Sequence, residues 1–467
     1  FSLSMLPPVA VSLLYADGAW PAFLESFVVV LGLGGALWLP FRNARGELRL
    51  RDGFLVVALF WSVLGLLGGL PMLLVERPDL ALTDAVFESV SGFTTTGATT
   101  IAGLDALPKS FLWYRQQIQW LGGGGIMVLA VALFPLLGIG GMQLLRAETP
   151  GPVKDEKITP RIAQTAKALW AIYLALTVAC AMAYRTAGMS WFDAAAHART
   201  TMSTGGFSTY DASLAHFDSY AIEMITVAFM LAGSVNYTLH FLAWRDRSTR
   251  SYAADPQFRA FVYVCGGFVA TSVVYLMLAG TYDTVNAAFR YASFQVVSFQ
   301  TSTGYASADF AAWPGALPVL LVLTTFIGGC SGSTAGGMKV IRWQLAWRQG
   351  ARELKRLMHP HAELPVKLGG RLVSASVLAA VTGFFAIYLL LFGAGTLALM
   401  FTGLDQVTAW TAAATSINNL GPGLGEVASN FTSVSSPAKW ICIFLMLTGR
   451  LEVFTILVLF TPAFWRP

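Results

Sequence analysis

The chain of 467 residues is 55% apolar and 12% charged, with a formal net charge of +5 and a mean hydropathy of +0.62. Globular proteins carry about 25% charged residues, so this composition excludes a soluble nucleic-acid binder, a disordered chain and a small secreted disulfide scaffold, and fits a polytopic membrane protein. Four scattered cysteines, Cys180, Cys265, Cys330 and Cys442, show no ligand spacing and read as small apolar residues.

Apolar stretches at 1–16, 22–41, 53–75, 115–138, 163–184, 219–243, 258–280, 313–341, 371–393 and 438–462 are expected spans, each able to cross ~30 Å of hydrocarbon, the first barely. That first stretch has neither a basic leader nor a small-residue cleavage site, so it reads as a span cut short rather than a signal peptide, and a few residues are expected ahead of Phe1. An even number of spans puts both termini on one side. Connections 42–52, 146–167, 245–259 and 339–371 hold 21 Lys/Arg against 9 Asp/Glu, and the opposite side holds 7 against 15. The positive-inside rule therefore assigns the first set and both termini to the cytoplasm. The acidic outer face that remains concentrates cations.

Four outer segments share one plan: about ten residues of half-helix, then a short Thr/Ser/Gly stretch, then a return. They end in Thr-Thr95-Thr96-Gly97, Ser203-Thr204-Gly205-Gly, Thr-Ser302-Thr303-Gly304-Tyr and Asn-Asn419-Leu420-Gly421-Pro-Gly, the numbered glycines spaced by 108, 99 and 117 residues. One Gly/Thr cluster would be a turn. Four at this spacing, all on the acidic side, indicate a fourfold repeat.

Irregular backbone survives in a bilayer only where it lines water or is buried in protein. Four such segments on one axis would offer rings of carbonyl oxygens that replace the hydration shell of an alkali cation. The hydroxyls at 95, 96, 203, 204, 302 and 303 and the Asn419 amide would add oxygens, and the absence of carboxylates favours a monovalent ion over calcium. The half-helix C-termini would aim partial negative charge at the same point.

These four motifs, and Ile417–Glu426 above all, resemble those of the bacterial Trk/Ktr/HKT potassium-uptake superfamily over almost the whole chain. The resemblance implies an all-α polytopic membrane protein. An N-terminal helix pair (1–50) would precede four span–pore-helix–filter–span repeats (51–145, 146–250, 251–345 and 346–467) arranged with pseudo-fourfold symmetry around one pore. It implies K+ uptake across the bacterial inner membrane, K+ bound only at the filter residues, and no organic cofactor on this chain. It also implies a homodimer in membrane lipid, and a cytoplasmic TrkA-type regulator that carries the nucleotide. Neither nucleic acid nor catalysis is expected.

Span 313–341 is interrupted by Gly328-Gly329-Cys-Ser331-Gly332-Ser333-Thr334-Ala-Gly336-Gly337-Met-Lys339. A helix through five glycines would lose roughly 1 kcal/mol per Gly against Ala, so an unwound intramembrane loop is expected over 327–338. The Walker spacing fails, since no Gly-Lys-Ser/Thr occurs. Close helix packing through small residues is the rival reading. The resemblance makes the loop a movable gate beside Arg450. An Arg at mid-span costs about 2.5–3.5 kcal/mol on insertion scales and should face the pore or a partner. Glu452, two residues on, would not face it on a helix.

Other polar signals are weaker. His197 and Arg199 read as support for the second half-helix, Glu88 and Arg290 as pairing partners or solvated groups, and Gly122–Gly125 as helix packing. Linker 342–368 reads as an amphipathic helix on anionic lipid or a docking surface, and His359 and His361 carry little sign of a metal site. An ion-coupled carrier of K+ with Na+ or H+ would need an acid or His near the site, and only Glu25 and Glu223, both near span ends, are candidates. A membrane-embedded enzyme would need a nucleophile–base pair or a metal cluster, and none is evident.

Overall fold

The computed structural model describes residues 1–43, 50–129 and 158–466. Apart from one short antiparallel pairing, Lys367–Leu368 with Arg371–Leu372, its regular elements are helices. Helices Leu6–Tyr15 and Trp20–Phe41 form an N-terminal pair that packs on Lys109–Val128 and Leu70–Leu74.

Four units of identical order follow. Each has a leading helix, a short half-helix and a trailing helix: Leu50–Leu67, Leu82–Phe93 and Lys109–Val128; Ile158–Thr186, Trp191–Met202 and Tyr220–Gly233; Pro256–Leu278, Val285–Gln300 and Leu317–Ile327; Ala375–Phe401, Gln406–Asn418 and Ser436–Arg450. Each trailing helix packs against its own half-helix and against the next unit's, and Ser436–Arg450 closes the circle on Leu82–Phe93. The four half-helices are thus enclosed in a pseudo-fourfold ring. Ser190, Thr284 and Asp405 cap three of them by accepting backbone N–H bonds in the first turn.

Among the described residues, five helices are long and apolar enough to cross a membrane, and in their membrane-length windows only 22–33% of residues are buried. The remaining apolar surface suits lipid, and the chain is a multi-pass membrane protein. The expected span at 219–243 is instead two helices, Tyr220–Gly233 and Tyr237–Asp246, bent by 96°, and that at 438–462 bends by 106° after Arg450. The span at 313–341 stops at Ile327, and residues 130–138 of the span at 115–138 lie outside the described residues. The break after Ile327 opens into the irregular chain from 328 to 339. At the break after Gly233 that chain takes the freed backbone groups, as Cys330 N donates to Ser234 O and Tyr237 N to Gly332 O. Linker 342–368 starts inside a helix, Val340–Met358, which exposes Trp347, Leu354, Leu357 and Met358.

Candidate functional site

The four half-helices end alike. A residue with left-handed φ follows the helix in every unit: Thr95 (54°), Thr204 (50°), Ser302 (54°) and Asn419 (55°). The next N–H then bonds the carbonyl five residues back, Thr96 to Ser91 at 2.8 Å, Gly205 to Thr200 at 2.9 Å, Thr303 to Ser298 at 2.8 Å and Leu420 to Thr415 at 2.8 Å. The residues after these are Gly97, Gly206, Gly304 and Gly421, the first three at φ 81°, 77° and 83°. The backbone therefore corrects the sequence register by one residue in the second unit. Gly206, not Gly205, stands level with Gly97, Gly304 and Gly421, while Gly205 stands with Thr96, Thr303 and Leu420, and Ser203 one step before Thr95 and Ser302. In Ser-Thr-Gly-Gly either glycine satisfies the pattern, and only the backbone decides.

These segments close on one another. A Cβ on Gly97 would lie 2.0 Å from Gly205 O, on Gly206 1.9 Å from Thr303 O, on Gly304 3.1 Å from Gly421 N, and on Gly421 2.7 Å from Gly97 O. Unit one thus touches two, two touches three, three touches four and four returns to one, at separations that only glycine permits. A cavity of about 550 Å³ opens beyond the ring, lined by Gly97, Gly206, Gly304 and Gly421 and by Asp211 and Asp309.

The side chains expected to add oxygens are mostly engaged elsewhere. Thr96 Oγ1 bonds Thr94 Oγ1 (2.7 Å), Thr303 Oγ1 bonds Thr301 Oγ1 (2.8 Å), and Thr204 and Ser302 donate to the preceding carbonyls. Asn419 Nδ2 donates to Thr96 Oγ1 and to Met446 O. Thr95 Oγ1 is buried and has no hydrogen-bond partner among the described residues. Among the described residues, nothing donates to the carbonyls of Thr96, Gly97, Gly206, Thr303, Gly304, Leu420 or Gly421, which are the groups suited to a dehydrated cation.

Behind the ring, buried polar groups fix the half-helices. Glu88 accepts from Arg115 Nε at 3.0 Å, from Thr99 Oγ1 and from Thr100 N, both at 2.6 Å. Arg290 pairs with Glu223 at 2.7 Å. His197 bridges Asp193 O and Ser208 Oγ, and Arg199 lies 3.6 Å over the Trp113 ring. Burial, then the Asp193 carboxylate beside it, push the Tyr210 phenol up to about 12, and its hydroxyl donates to Asp193. Gly122 lets the Phe93 carbonyl approach the trailing helix, since a Cβ there would lie 1.9 Å from Phe93 O. Arg115 and Gln119 escaped the sequence reading. The available signal was polar residues, Arg115 to Gln119, inside an expected span.

Beneath the ring, residues 328–339 form an irregular loop. Gly336 N donates to Ser302 Oγ at 2.5 Å, Gly337 N to Asn418 O at 3.1 Å, and Thr334 Oγ1 to Met202 O (3.1 Å) and Gly233 O (3.0 Å). Arg450 Nη1 donates to Thr334 O at 2.9 Å, while its buried Nε and Nη2 have no hydrogen-bond partner among the described residues. Thr334, Gly336 and Gly337 thus lie directly against the segments and half-helix ends, and Arg450 reaches them only through Thr334. Gly328, Gly329, Ser331, Gly332 and Ser333 lie in the stretch bonded to the break at Ser234–Tyr237, and Lys339, at φ 72°, folds back on Ala335 O. Glu452 pairs with Arg342 and not with Arg450. Among the described residues, no group of three or more His, Cys, Asp or Glu could hold a metal ion.

Residues 19–466 match the family model TrkH, described as a cation transport protein. Over 466 residues, covering all of this chain and 96% of the relative in each case, the chain is 55% identical to the Trk system potassium uptake protein TrkH of Halomonas elongata and 53% identical to that of Escherichia coli. The crystal structure of the potassium transporter TrkH from Vibrio parahaemolyticus superposes with a TM-score of 0.94 at 51% identity, covering 100% of this chain and 97% of that one. With its four half-helices in one ring, this chain belongs to the TrkH family of cation transport proteins.

Proposed function

We propose that this protein takes up K+ across the bacterial inner membrane, the ion passing between the four segments and entering from the 550 Å³ cavity. The observation that carries this reading is the closed cycle of backbone contacts from Gly97 through Gly205, Gly206, Thr303, Gly304 and Gly421, which gathers unengaged carbonyls around one axis. The ligand set is Thr95, Thr96 and Gly97, Thr204 to Gly206, Ser302 to Gly304, and Asn419 to Gly421, with the backbone oxygens that accept no hydrogen bond, which leaves out Gly205 O, in the main role. The half-helix C-termini add partial negative charge there.

The loop 328–339, held by Arg450, blocks the path below and moves aside to open it. Both termini and the basic connections face the cytoplasm, where a nucleotide-binding TrkA-type regulator acts on a homodimer of this chain. Coupling to a second ion is disfavoured, because Glu223 is engaged by Arg290 and Glu25 is exposed. The test is uptake of 86Rb+ into liposomes holding the purified protein, with Na+ competing. The reading requires K+ to outcompete Na+ and Gly304→Ser to weaken that preference. Uptake against an electrochemical gradient without the regulator would overturn the passive pathway.

A further inference from the structure

The second segment is the exception in the ring. In units one and three the residue before the ring glycine carries a hydroxyl bonded to the threonine two places earlier, Thr96 to Thr94 and Thr303 to Thr301. In unit four that place holds a fully buried leucine, Leu420. In unit two it holds Gly205, followed by Gly206, so the most flexible dipeptide of the ring lacks the internal stitch. The left-handed region does not explain this glycine, for Gly205 is not there. The space where its side chain would stand is already filled. The three atoms nearest a Cβ on Gly205 all belong to Gln119: Cδ and Oε1 at 2.6 Å and Nε2 at 2.9 Å.

Gln119 lies fully buried in the helix Lys109–Val128 of the preceding unit. Its Nε2 donates to Gly205 O at 2.7 Å, and its Oε1 accepts from Phe207 N at 3.0 Å. The amide therefore grips the backbone on both sides of Gly206, and both ends of the side chain are satisfied. We propose that Gln119 is a positioning residue of the ion pathway, supplying from outside the constraint that hydroxyls supply in units one and three and thereby setting the preference for K+ over Na+. The inference rests on the reading that the ion passes through this ring. Where a ring selects by size it must resist closing around the smaller ion, and the Gly205-Gly206 stretch is where it would otherwise give way.

The test compares Rb+ and Na+ uptake by full-length variants in liposomes, with Gly304→Ser run alongside. Gln119→Glu keeps the shape and the acceptor but loses the donor to Gly205 O, and Gln119→Leu loses both bonds. Each is expected to lower the Rb+/Na+ uptake ratio about tenfold, equivalent to about 1.4 kcal/mol. Gly205→Thr alone collides with Gln119 and loses uptake. Gly205→Thr combined with Gln119→Ala rebuilds the pattern of units one and three and recovers a ratio within threefold of the parent, a coupling that independent sites do not show.

If Gly304→Ser shifts the ratio while Gln119→Glu and Gln119→Leu do not, the role of Gln119 is overturned and the pathway stands. If none of the three shifts it, the pathway itself falls. Should the single Gln119 variants fail to fold, the double variant decides: a parental ratio upholds the proposal, and Na+ leakage or failure to fold overturns it.

Discussion

The ring and the loop beneath it are both glycine-rich, irregular and buried, yet they are held in different ways. In the ring, the four segments follow half-helices, three of them capped by side chains and the first held by the Glu88–Arg115 pair, and each glycine lies against the next unit. The loop runs through twelve residues and meets the ring and the half-helix ends by hydrogen bonds at Thr204, Ser302, Asn418 and Met202, while Arg450 donates to its Thr334 O. Glycines of both lie hard against backbone, a Cβ on Gly336 standing 2.1 Å from Asn418 O where one on Gly97 would stand 2.0 Å from Gly205 O. It is the proposed function, in which the ion passes the ring and the loop moves aside, that gives the two different tasks.

The comparison breaks most severely at Gly206. Gly206→Ala places a methyl carbon 1.9 Å from Thr303 O at a φ of 77°, and Rb+ uptake is expected to fall at least a hundredfold, with no compensating opening of the loop. Arg450→Ala removes the charged donor to Thr334 O and, if the loop is the gate, should raise regulator-independent flux in liposomes several-fold. Unchanged flux with unchanged regulator dependence would make Arg450 a packing residue. Thr334→Val deletes the bonds to Met202 O and Gly233 O, each worth about 1 kcal/mol, so basal flux should rise, but less than in Arg450→Ala.

The smallest functional effect is expected behind the ring. Glu88→Gln leaves the buried Arg115 guanidinium without its carboxylate, which costs about 3 kcal/mol or more. The melting temperature of the detergent-purified protein should drop, while surviving molecules keep their ion ratio.

The repeat and the interruption near Gly328 were legible because composition and spacing carry them. The register of the second segment was not, since Gly205 and Gly206 are equivalent to any sequence pattern and differ only in φ and neighbours. Expecting hydroxyls at 96, 302 and 303 to face an ion failed to weigh local competition. A Thr or Ser just past a helix end readily bonds nearby backbone or the neighbouring hydroxyl, as Thr96, Ser302 and Thr303 do. Glu452 was correctly denied to Arg450 by helical spacing, but its true partner, Arg342, lies 110 residues away and no local pattern could name it. The bends after Gly233 and Arg450 were missed because hydropathy stays high across them and reports burial, not direction.

All four sectors of this ring are written in one polypeptide. In an assembly of four identical chains, any substitution strikes every sector at once, and the only available steps are large. Here a single codon alters one quarter of the circle, so evolution can adjust the passage in small increments. A sector that has traded its own side chain for help from a neighbouring helix is the kind of local solution such freedom allows.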